Sequence, residues 1–153
     1  MDVPELTNFG SLVRFAIALE DAAAAFCDGL VETTGGDLAQ LAAELAGQHK
    51  ERRRTLERIR RNVNEMILEP ITGLDGRRYA IEVRPVAGPA DLGAGVQLEE
   101  TAARFYSESA EVATRLLGEA SRTFRKFGED SSRAAARLRA TPPANAFSSQ
   151  TRF

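Results

Sequence analysis

Apolar residues recur along most of the chain at alternating steps of three and four, the period of an α-helix. In the first segment Phe9, Leu12, Ala16, Leu19, Ala23, Phe26 and Leu30 form one row. Val13, Ile17, Glu20, Ala24, Cys27 and Val31 form a second row beside it. Two adjacent rows make a wide buried face, as an inner helix of a bundle needs, and they place the carboxyl group of Glu20 within it. Thr33-Thr34-Gly35-Gly36 ends this helix, and Asp37 opens the next, with Gln40 three residues on as its capping-box partner. The second helix runs from about 37 to 64 on the row Leu38, Leu41, Leu45, Leu56, Ile59 and Val63, and Gln48 and Arg52 fill the gap in that row.

Between about 66 and 95 the period is lost. Pro70, Pro85 and Pro89 stand among Gly73, Gly76, Gly88, Gly93 and Gly95, and Tyr79-Ala80-Ile81-Glu82-Val83 after Leu74-Asp75-Gly76 reads as a short hairpin strand. Helical spacing resumes at Val96 and holds to about Thr114, with Leu98, Ala102, Phe105 and Val112. A fourth helix over about 119–140 carries Ala120, Phe124, Phe127, Ala134 and Leu138. Residues 141–153, opening with Thr141-Pro142-Pro143, have no period and read as a flexible tail. The pattern L-E-[DE]-x-A-A-x-F occurs twice, from Leu19 to Phe26 and from Leu98 to Phe105. Each copy precedes a break and another helix, so the chain reads as two helical hairpins in one domain of residues 1–140.

Composition narrows the chemistry more than it names it. The chain has 153 residues, 43% apolar and 27% charged, with a formal net charge of −2. That suffices for a core and sits far from the strongly basic composition of a polyanion binder. A single cysteine excludes an internal disulfide, and a single histidine excludes a histidine-rich metal cage within one chain. The N-terminal residues lack a basic stretch followed by an apolar one, and Arg14, Glu20, Asp21 and Asp28 interrupt the most apolar segment, so neither a secretory signal nor a membrane span is expected. The expected location is the cytoplasm.

Two hairpins, a long crossover, and one inward Glu on the first helix of each half resemble the ferritin-like superfamily and, within it, the rubrerythrin-like group. Glu99, Ala102 and Tyr106 match that group's E-x-x-A-x-x-x-Y pattern; Glu20, Ala23 and Cys27 match it with Cys in place of Tyr. The resemblance covers about residues 9–140 and implies an all-α, ferritin-like four-helix bundle with a crossover between helices 2 and 3. It also implies a di-iron centre and iron oxidation, peroxide reduction or iron storage. That centre takes one Glu from each of two helices and a Glu-x-x-His pair from each of the other two. Here both pairs are missing. Ala46 precedes His49 by three, Glu44 lies five residues before it and so about 140° around the helix, and the fourth helix has no His. Glu119 and Glu129 lead to Arg122 and Ser132.

Glu20, Glu99 and His49 are therefore residual metal-ligand candidates, set against a second reading in which the glutamates are buried carboxylates paired with arginines such as Arg52. Taken alone, His49 reads as a half-exposed helix residue, Cys27 as a packed thiol, and Tyr106 as a core residue with a hydrogen-bonded hydroxyl. The run from Lys50 to Arg61 holds seven basic residues against two acidic ones. Its acids are interleaved and no aromatics accompany it, so nucleic acid is not the expected partner. The expected function is that of a non-catalytic structural or interaction protein without cofactor, associating with itself or with a protein partner, with the tail ending in Phe153 as a candidate docking segment. The alternative is an iron-dependent di-iron or single-metal oxidoreductase or ferroxidase with altered ligands.

Overall fold

The computed structural model describes residues 6–62, 70–81, 85–114 and 118–142. It is an all-α four-helix bundle: α1 Phe9–Thr33, α2 Gly36–Asn62, α3 Leu92–Ala113 and α4 Gly118–Ala140. α1 packs along α2 and α3 along α4, so the chain forms two helical hairpins, which meet mainly through α1 with α3 and α2 with α4.

α1 is started by a reciprocal cap. The Asn8 side chain accepts from the Ser11 backbone N–H at 2.8 Å, and the Ser11 hydroxyl accepts from the Asn8 N–H at 3.1 Å, satisfying donors the first turn leaves open. The helix ends at Thr34, whose N–H returns to the Leu30 carbonyl. Gly36 then turns the chain with φ 61°, a conformation that favours glycine. α2 starts there, one residue before Asp37, which leaves that carboxylate in the first turn beside the positive end of the helix dipole.

The crossover carries two short 3₁₀ turns, Gly76–Tyr79 and Pro89–Asp91. Tyr79 thus lies in a turn where a strand was expected, and Ala80 and Ile81 belong to no strand; the rest of that expected strand, together with Val63 and residues 143–153 of the tail, lies outside the described residues. The Tyr79 side chain anchors the segment in the core. Its ring packs on Phe15 and Phe105, and its hydroxyl donates to Glu108 of α3 at 2.6 Å. α3 begins at Leu92, a turn earlier than its apolar spacing indicates, because Pro89 starts a 3₁₀ turn that runs straight into it.

Apolar packing falls into two clusters. One spans the Phe9 end of α1, with Leu56, Phe105, Tyr106, Phe124 and Phe127; the other joins Cys27, Leu38, Leu41, Leu45, Ala134 and Leu138. Between them the apolar rows of all four helices are interrupted at the same level, by Glu20, by His49 and Arg52, by Glu99, and by Ser131, and every one of these side chains is buried.

Candidate functional site

His49 is the centre of this buried layer. It is 1% exposed, so the lone histidine is a core residue rather than a half-exposed one. Its Nδ1 is 2.7 Å from Glu20 Oε1 and its Nε2 is 2.6 Å from Glu99 Oε1. The imidazole therefore stands between the two glutamates of the internal repeat. The Glu20 contact has hydrogen-bond geometry. The Glu99 contact is equally short but off the hydrogen-bond direction, which leaves His49 Nε2 and both Glu99 oxygens buried without a well-directed partner. Tyr106 donates its hydroxyl to Glu20 Oε2 through a short hydrogen bond.

Arg52, one turn beyond His49 on the same face of α2, is 5% exposed. Its Nη1 donates to the Ser131 hydroxyl of α4 at 3.0 Å and stands 3.8 Å from Glu20 Oε1, while its guanidinium lies 5.7 Å from the centre of the Phe127 ring. The expected pairing of a buried glutamate with an arginine is thus present as a longer contact. The close cationic partner of each carboxyl group is the imidazole.

Burial by itself would lower the pKa of His49. The Cys27 thiol and the carboxylates of Glu20 and Glu99 outweigh it and hold the imidazolium well above the usual histidine range. Tyr106 is pushed well above the usual phenol range by burial and by Glu20. Burial likewise raises the Cys27 thiol, which makes it a packed group rather than a nucleophile. As imidazolium, His49 adds a second positive charge to that of Arg52 in the layer that holds the carboxyl groups of Glu20 and Glu99.

The three residual ligand candidates are brought together, yet not around a common point, since the glutamates sit on opposite sides of the imidazole. Among the described residues no group of three or more His, Cys, Asp or Glu side chains converges to hold a metal ion. Glu44, five residues before His49, is exposed and pairs with Arg137 at 2.5 Å. A di-iron centre does not fit this set: α4 offers Ser131 in place of a ligand pair, and the Arg52 guanidinium, 3.8 Å from Glu20, would repel a metal cation. The sequence carries a signal for this pair in its spacing. His49 and Arg52 are three apart, the spacing of the Glu-x-x-His pair itself, so α2 carries two basic side chains in the register in which metal-bearing bundles carry two ligands.

The basic run on α2 is divided by burial. Arg52 points inward, while Lys50 pairs with Asp28, Arg53 with Asp21 and Glu57, and Arg54 with Glu51 on the exposed face. Among the described residues no helix is long and apolar enough to cross a membrane.

No protein-family model and no curated protein matches the chain. Its fold is similar to the solved structure of a hypothetical protein from Pyrococcus furiosus, with a TM-score of 0.63 and 21% identity over 84% of each chain. That likeness is one of fold.

Proposed function

We propose that the chain is a ferritin-like bundle of the rubrerythrin-like type that serves as a structural or interaction protein, its two metal positions taken over by protein cations. One observation supports this reading most directly. His49 and Arg52, three residues apart on α2, supply two positive charges among the glutamates of the repeat. A metal centre solves the problem of two buried carboxylates by bringing charge from outside; imidazolium and guanidinium solve it from within the chain. The bundle is then complete on folding and works through its surface, as a homo-oligomer or bound to a protein partner. Elemental analysis combined with thermal unfolding tests this. The protein as purified should hold no stoichiometric iron, and its Tm should be unchanged by Fe(II) or by a chelator. About two irons per chain, or a Tm that rises with Fe(II), would overturn the reading and favour the oxidoreductase alternative.

A further inference from the structure

We propose that the groove between α2 and α4 is a binding site for a small carboxylate with a short hydrocarbon body, held on the guanidinium of Arg52. The groove has a volume of about 460 Å³, within the range of small-ligand sites. Arg52 lines it and carries five N–H donors, of which one is engaged among the described residues, in the bond to Ser131. Among the described residues its other nitrogens are not fully buried atoms without a partner, and Arg52 lines the groove, so a ligand there meets the guanidinium. A buried arginine that keeps donors free at the end of a groove presents the planar fork that a carboxylate matches with two parallel hydrogen bonds.

The surroundings select the ligand's charge and shape. Phe127, Leu45 and Ala134 give the walls apolar area that suits a hydrocarbon body and offers a phosphate nothing. Two acids lie on the lining, and each is already engaged: Asp130 with Arg133 at 2.5 Å and Glu51 with Arg54 at 2.6 Å. Lys126, also on the lining, is in no ion pair among the described residues, so the mouth of the groove attracts anions. Glu20 lies on the inner side of Arg52 at 3.8 Å and fixes the guanidinium without occupying its outward donors. This site is independent of the ferritin-like reading, because it requires only the packing of α2 against α4.

The test is a titration of the full chain with sodium valerate, followed by NMR of the Arg52 side-chain Nε–H and of the amides of Leu45, Phe127 and Ala134, at ionic strength held constant with chloride. Saturable shifts confined to this groove are expected at millimolar valerate or below. Arg52→Lys, checked for folding by circular dichroism, should weaken binding at least tenfold, since a lysine offers no fork. Lys126→Glu leaves the buried layer untouched and should weaken binding severalfold. If Arg52→Lys does not fold, an unchanged affinity in Lys126→Glu overturns the proposal. Shifts that do not saturate, that scatter over the surface, or that survive Arg52→Lys in a folded protein overturn it too. Inorganic phosphate binding as tightly as valerate would overturn the carboxylate assignment.

Discussion

His49 does the most for the interior with the least chemistry: one ring, two nitrogens, two carboxylates on opposite sides. His49→Gln removes the charge that both glutamates face, and breaking a buried pair by deleting one partner costs about 3–5 kcal/mol. Urea unfolding should show that loss, and a cost below about 1 kcal/mol would mean that the glutamates are neutralised by something else. Tyr106→Phe keeps the ring, which packs on Phe105, Phe124 and Phe127, and deletes only the donor to Glu20. Leaving a buried acceptor short of a partner costs about 1–3 kcal/mol. Glu44→Gln is the control. Its ion pair with Arg137 is exposed and screened, so its removal should shift stability by less than about 1 kcal/mol.

At the scale of helices, two glycines should respond to the same substitution with opposite sign. Gly47 is an exposed position within α2, and a Cβ there meets nothing within 4 Å, so Gly47→Ala should stabilise by about 0.5–1 kcal/mol through helix propensity. Gly128 is buried in α4, where a Cβ would stand 3.3 Å from the Ala103 carbonyl oxygen on α3. Backbone does not yield as a side-chain tip does, so Gly128→Ala should destabilise despite its better propensity, and paired urea curves read both signs. The same contrast between local and tertiary information explains what the sequence made legible. Four helices, their hairpin pairing and the long crossover followed from period and punctuation alone. The inner face of α2 did not. Leu45-Gln48-Arg52-Leu56 and Leu45-His49-Arg52-Leu56 are both sequences of helical steps, and periodicity cannot choose between them. The choice is made by Glu20 and Glu99 across the bundle, which burial of His49 provides with a facing imidazole and burial of Gln48 would leave without a cation. Glu20 and Glu99 were recognisable as inward residues because the repeat marked them twice. Tyr79 looked like part of a strand because aromatic residues suit strands, whereas its position is fixed by Phe15, Phe105 and Glu108, all distant in sequence.

The whole molecule inherits a pH dependence from this one layer, and the sign is set by three groups acting together. His49 is raised well above 6.5 in the folded chain and returns to about 6.5 on unfolding. Its contribution to stability is complete below the unfolded value and is lost as pH rises through the folded one, because over that interval the folded chain holds the extra proton. Cys27 and Tyr106 are raised as well, from unfolded values near 9 and 10, so they add a second loss that begins there. All three slopes point the same way, and they are coupled, since Glu20 touches both His49 and Tyr106. Tm should therefore decline from about pH 6.5 upward and more steeply above about pH 9. In His49→Gln the first part of the decline should vanish, while the part that belongs to the thiol and the phenol remains. A Tm that is flat from pH 6.5 to 9 in the unaltered chain would show that the imidazole is buried neutral. The layer would then carry an uncompensated carboxylate, and the case for His49 as a substitute for a metal ion would fall with it.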